Sequence, residues 1–389
     1  MSKSVRYLDR GPRGCKIQFM KEKIQFINYA KAISIILVVI THLGYNVPPF
    51  FQLFFMPVFF VCSGYVFQLN DQNFGSYVKK KAKRLLFPFW LAMLIYTVVD
   101  LFRARYYGFA PAPTVIKYGL TETIYGSGMF PVIGKLGNAL AKINPWPELT
   151  TPPVDIILPS NCHLWFLPAM FSACCIYYPF AKYKENIKGA WKFLLILLIL
   201  AIGGIETIPG FGQLPYGFGR GCVGAVCILF GNWIREKKIL EQENKIRLLL
   251  YFSVGLAVSI VTICFGATSA SMVISYYGPY PFVSVLLTAI GGCASSLVFL
   301  ILCRFIEQIP FNRLKELLSA IGNNSMTIYL WQFLIIGIAD FIFLSLTGID
   351  VEPASFYMVV VSPRYFWYKL PLLFLIIWSL TCYGIWKEN

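Results

Sequence analysis

Runs of apolar residues recur along almost the whole chain, separated by short polar stretches. Ten of them are long enough, at 1.5 Å per residue, to approach or exceed the ~30 Å of hydrocarbon in a bilayer. They fall near 26–45, 50–69, 85–102, 162–181, 192–208, 214–234, 248–266, 281–303, 321–347 and 365–386. The expected fold class is all-α, a polytopic membrane protein with about ten transmembrane helices in one bundle. Residues 1–24 read as a basic cytoplasmic tail and 25–389 as a single transmembrane domain. Segment 105–161 is a long connection rich in Pro and Gly, whereas 267–280 and 348–364 are shorter. No fixed-period repeat is evident, and the two halves show none of the similarity that would point to a secondary transporter.

Composition agrees with the pattern. The 389 residues are 57% hydrophobic and 13% charged, with a mean hydropathy of +0.64, against about 25% charged residues in a soluble domain. The formal charge of +16 would suit a nucleic-acid binder if its source, the 34 Lys and Arg residues, lined a groove, but they sit between the apolar runs. That placement fits the positive-inside rule and contact with anionic membrane lipids, and no nucleic-acid partner is expected. With the N-terminus inside, 25 basic residues fall on cytoplasmic segments and 8 on external segments or span ends. Both termini are therefore expected in the cytoplasm. The basic N-terminal stretch lacks the apolar core and cleavage site of a signal peptide, so it reads as retained.

Eleven cysteines raise the question of a disulfide or metal framework. Most lie inside apolar runs, no C-x-x-C occurs, and the chain has only two histidines. The cysteines read as small apolar packing residues, and no metal site is expected.

An ionisable residue inside an apolar span is costly, which makes it a functional candidate. The first span holds Lys31 and His42, eleven residues apart, a spacing that returns to within about 20° of one helix face over about 16 Å of axis. Both can therefore line one polar channel, with Lys31 toward the cytoplasm and His42 deeper. A structural reading stands beside this one: Lys31 snorkels to the interface and His42 satisfies a hydrogen bond in the bundle. Glu206, Arg220 and Asp340 also lie near or within spans, with no partner assignable from sequence.

Four ordered strings accompany that pair. Lys31 and His42 enclose ten residues; Met56-Pro57-Val58-Phe59-Phe60-Val61-Cys62-Ser63-Gly64 lies in the second span; Lys81-Ala82-Lys83-Arg84 precedes Leu85-Leu86-Phe87-Pro88; and Trp165-Phe166-Leu167-Pro168 opens the fourth span. In that order they resemble the acyltransferase-3 family of bacterial membrane acyltransferases, which includes enzymes that O-acetylate O-antigen, exopolysaccharides and nodulation factors. The resemblance covers nearly the whole chain. It implies that His42 is the essential histidine and that Lys31 stands where most members have Arg, keeping the charge without the bidentate geometry. The Arg-x-x-Arg pair of the family maps onto Lys81 and Arg84. Where many members carry a second histidine in the ninth span, this chain has Gln332.

The resemblance further implies an O-acyltransferase of the bacterial inner (plasma) membrane with no resident cofactor. Acyl-CoA, acetyl-CoA foremost, would be the donor, and a glycan or lipid-linked sugar the acceptor. Lys31, Lys81 and Arg84 suit the phosphates of CoA. His42 suits a general base on the acceptor hydroxyl, or a nucleophile forming an acyl-imidazole, and both routes stay open. His163, Trp165, Ser325 and Gln332 are candidate substrate contacts. Against that, His163 and Trp165 fit an aromatic interface belt, while Ser325 and Gln332, seven apart on one helix face, fit interhelical hydrogen bonding. Two rival functions explain the buried charge without chemistry: a transporter or flippase, which would not consume thioester, and a noncatalytic scaffold, which would tolerate loss of His42.

Overall fold

The computed structural model describes residues 25–45, 47–69, 73–107, 111–126, 164–183, 187, 189–207, 214–267, 281–347 and 366–388. The expected N-terminal tail, His163 and most of connection 105–161 lie outside these residues. Among the described residues every regular element is helical. In chain order they are α1 Gln25–His42, α2 Pro49–Phe54, α3 Pro57–Tyr65, α4 Phe74–Tyr107, α5 Ala112–Tyr125, α6 Phe166–Lys182 and α7 Gly189–Gly204. Then follow α8 Phe218–Glu236, α9 Lys245–Cys264, α10 Pro281–Ile306, α11 Asn312–Asn323, α12 Ser325–Thr347 and α13 Phe366–Glu388. Among the described residues seven helices are long and apolar enough to cross a membrane, and α7 is a shorter apolar one. The all-α membrane architecture is therefore as expected, while three of the ten expected spans fall on shorter helices.

The clearest difference is the expected span at 50–69, which is broken into α2 and α3, 6 and 9 residues long. Pro57 is the physical reason. It has no N–H for the carbonyl of Leu53, and its ring collides with that carbonyl in a continuous helix. The chain turns at Phe55 and Met56 and restarts with Pro57 in the first turn of α3, where a missing N–H costs nothing. The pair still returns the chain toward the start of α1, because Tyr65 packs edge-on against Phe26 with ring centroids 5.5 Å apart.

Helix α8 lies inside the bundle, packed against α3, α6 and α7. Its approach to α3 is set by two glycines: a Cβ at Gly231 would overlap the carbonyl of Val61, and one at Gly64 would overlap the carbonyl of Ile228. Small residues are how membrane helices bring backbones into contact when no water-driven term separates protein from lipid. This also explains the glycine of the second-span string, which is a packing residue. Helix α1 is enclosed by α3, α10, α11 and α12, so nine of its residues, Tyr29, Ser34 and Ile35 among them, are buried.

The basic turns gather at one end of the bundle. Arg235 at the end of α8 donates to the carbonyl of Phe67, the backbone N–H of Phe26 donates to Glu307 Oε1 at 3.0 Å, and Arg304 pairs with Glu307. At the opposite end, Arg103 pairs with Asp100 at 3.1 Å and Tyr106 meets Phe341 with ring centroids 5.2 Å apart.

Candidate active site

A cavity of about 410 Å³ opens between α1, α3, α4, α6 and α12 at the basic end. Its mouth is formed by Gln68 and Leu69 after α3, Lys80, Lys81 and Arg84 on α4, and Tyr178 on α6. The mouth is built, not incidental. Arg235 holds the Phe67 carbonyl, the Phe67 ring packs edge-on against Tyr177 at 4.8 Å, and the Lys81 ammonium lies over the Tyr77 ring at 5.4 Å. Pro88 sits inside α4 and leaves the carbonyl of Arg84 without its usual helical N–H partner beside the opening.

Inward, the lining becomes apolar. Ile35, Met56, Phe59, Phe166, Leu167 and Met170 close the head of the cavity. Met56 reaches it because the break before Pro57 places that residue in the turn between α2 and α3. From Tyr178 to Phe166 the lining follows twelve residues of α6, a depth of about 18 Å. Lys31 is the cation part-way along this depth, with Arg84 and Cys62 within electrostatic reach. Such a cavity suits a molecule with a polyanionic head and a long, largely apolar arm.

His42 ends α1 and does not line the cavity. Its imidazole lies against the Phe333 ring, centroids 4.5 Å apart and tilted by 50°, and meets the carboxamide of Gln332. Gln332 is completely buried, at 0% exposure, and its Nε2 donates to the Tyr329 carbonyl at 3.3 Å. Of Lys31 and His42, expected to line one channel, Lys31 alone lines this cavity: Tyr329 and Phe166 are at its head, and His42 sits past that layer.

The other expected residues divide. Lys81, Arg84 and Ser325 line the cavity together with Lys31. Gln332 stands at His42, one turn beyond the cavity head. Trp165 is buried at 5% exposure, with the Arg220 guanidinium over its ring at 5.2 Å, so it is held inside the protein and is not an exposed interface anchor. His163 lies outside the described residues.

Three residues that sequence reasoning left without a role also meet here. Tyr329 lines the cavity head, and its hydroxyl oxygen accepts the backbone N–H of Phe166 at 3.1 Å. Arg220, buried at 2% exposure, lies within electrostatic reach of Tyr329 and of Glu206. Glu206 Oε1 in turn accepts the N–H groups of Leu214 at 2.8 Å and Gly219 at 2.9 Å, which fixes the start of α8. Tyr329 lies in the expected ninth span, three residues before Gln332, but a tyrosine in a membrane helix is too cheap to stand out.

These residues make a helical membrane bundle with a cation-lined cavity and a histidine beyond its apolar head. A family model described as an acyltransferase domain matches residues 24–386. The chain belongs to the acyltransferase-3 family, and that match covers essentially all of it. No curated protein and no solved structure matches.

Proposed function

We propose that the protein moves an acyl group, acetyl in the simplest case, from cytoplasmic acyl-CoA to a hydroxyl of a glycan or lipid-linked sugar. The observation that carries this reading is the cavity: Lys80, Lys81 and Arg84 at its mouth, Lys31 within, and an apolar head about 18 Å from the mouth. Its volume of about 410 Å³ is within the range of small-molecule sites. The nucleotide phosphates of CoA would stay at the basic mouth, where they keep partial solvation, and the uncharged pantetheine arm would carry the thioester to the head. The basic end faces the cytoplasm on this reading, because Lys and Arg are retained on that side during insertion.

His42 supplies the base. Neutral imidazole takes the proton of the acceptor hydroxyl as its oxygen attacks the thioester carbon, the C–S bond breaks, and the imidazolium returns the proton to the departing thiolate. The Phe333 ring against it and the Gln332 carboxamide beside it restrict the imidazole, so its ring enters the reaction already oriented. The acceptor hydroxyl arrives from the His42 side of the Tyr329 and Phe166 layer, opposite the donor.

The test uses purified full-length protein in nanodiscs, with acetyl-CoA and a mixture of bacterial surface glycans. Saturable CoA binding and acceptor-dependent release of CoA thiol are expected. Folded protein that neither binds CoA nor consumes thioester would overturn the reading.

A further inference from the structure

We infer that Tyr329 is a catalytic residue whose phenol donates a hydrogen bond to the thioester carbonyl oxygen and stabilises the oxyanion formed there. The inference rests on the acyl-CoA reading above and assigns a role that reading leaves empty: His42 handles a proton, but nothing yet meets the negative charge that develops on the carbonyl oxygen.

The argument begins with position. Tyr329 is at the head of the cavity, 4% exposed, where an arm threaded from the mouth must end. It is one helical turn from Gln332, the residue that meets His42, and Gln332 is itself bonded to the Tyr329 carbonyl. On this reading a carbonyl carbon is held at the Tyr329 hydroxyl, with the donor cavity on one side and, past Gln332, the imidazole on the other. That is the geometry a transfer between a donor and an acceptor approaching from opposite sides requires.

The second argument is electrostatic. The Tyr329 oxygen accepts the N–H of Phe166 at 3.1 Å, and Phe166 is the first residue of α6. That N–H belongs to the first turn, which the helix itself cannot satisfy, so the phenol sits at the positive end of a 17-residue helix. The Arg220 guanidinium adds a second positive source. Glu206, which accepts the backbone N–H groups of Leu214 and Gly219 beside Arg220 at the start of α8, neutralises part of that charge, so the first turn of α6 is the main positive source. A phenol whose oxygen already accepts a hydrogen bond is polarised as a donor by that bond, and its dipole is fixed before the reaction starts.

The ring is fixed as well. Tyr329 packs edge-on against Phe166, with centroids 5.5 Å apart and planes at 71°. As the tetrahedral centre forms, charge moves to the oxygen facing Tyr329; as it collapses, the carbonyl reforms and CoA thiolate leaves with the proton held by His42. No electrons or atoms beyond donor and acceptor are needed.

The test reads the ground state and turnover separately. The infrared band of bound acetyl-CoA carrying a ¹³C=O label is expected to lie below its position in solution. In Tyr329→Phe, which keeps the ring against Phe166, the band should return to the solution position, with kcat reduced roughly 10² to 10³-fold and donor KM nearly unchanged. Replacement of Tyr329 by 3-fluorotyrosine, a more acidic phenol of almost the same size, should lower the band further and keeps the assignment testable if Tyr329→Phe does not fold. A bound band at the solution position in the wild type, an unaltered shift in Tyr329→Phe, or no further lowering with 3-fluorotyrosine overturns the role of Tyr329 alone. Absence of any bound thioester overturns the donor reading and this role with it.

Discussion

His42 and Arg84 make opposite demands on a kinetic experiment, because the proposed mechanism places one at the chemical step, whereas the other lines the mouth. His42 is at the end of α1 against Gln332 and Phe333. Replacing it by Ala is expected to lower kcat by roughly 10² to 10⁴-fold while acetyl-CoA binding, measured by titration calorimetry, persists. Near-normal turnover in a correctly inserted His42→Ala protein would remove the base from the mechanism. Arg84 is exposed at the opening, where solvent screens its charge, so Arg84→Ala should raise the donor KM by only about fivefold and leave kcat alone. A fall in kcat with KM intact would move Arg84 from the mouth to the chemistry. Lys31 and His42 stood out in the sequence because burying an ionisable group in a membrane is expensive. Tyr329 and Phe166 did not, because aromatic residues are ordinary in such helices, and their meeting depends on two elements 163 positions apart. The partnership of Arg220 with Trp165 and Glu206 was hidden for the same reason.

At the scale of elements, the contact between α3 and α8 decides whether the cavity exists, since α3 carries Phe59 and Ser63 into its wall and α8 carries Arg235, which holds the Phe67 carbonyl. Gly231→Ala forces a methyl against the Val61 carbonyl, which is backbone and can yield only if a helix moves. A loss of roughly 1–3 kcal/mol is expected, read as a lower melting temperature in detergent by a thiol-reactive dye. Gly337→Ala on α12 is the control, because a Cβ there meets nothing within 4 Å, and it should be neutral or slightly stabilising. Equal destabilisation by both would mean that helix contacts are not limited by these glycines. The helical elements themselves were legible from apolar run length, but the break into α2 and α3 was not, even though Pro57 was in view. Hydropathy adds side chains and is blind to whether a backbone N–H is there to close the ladder, so an apolar stretch with a proline in its middle still scores as one span.

For the molecule as a whole, the separation of charge along the sequence and its separation in space are independent observations that agree. Assigning alternate connections to opposite sides puts 25 basic residues on one and 8 on the other. In the bundle, Lys81 at the mouth, Arg235 beneath Phe67 and Arg304 beside Glu307 then gather at a single end, although they belong to helices far apart in sequence. The broken pair α2 and α3 could have spoiled this alternation, since neither piece spans a bilayer alone. It does not, because the two together carry the chain back to Phe26, at the start of α1. The consequence for insertion is definite. Reporters placed within 182–192 and within 237–244 should be active only in the cytoplasm, and those within 110–155 only outside it. Alkaline phosphatase, active only when exported, and green fluorescent protein, fluorescent only when retained, give complementary readouts at each position. An exported reporter within 182–192 would invert the bundle. It would turn the basic mouth away from the compartment where acyl-CoA is made, and the donor route from the cytoplasm would then have to be abandoned even if the chemistry at His42 survived.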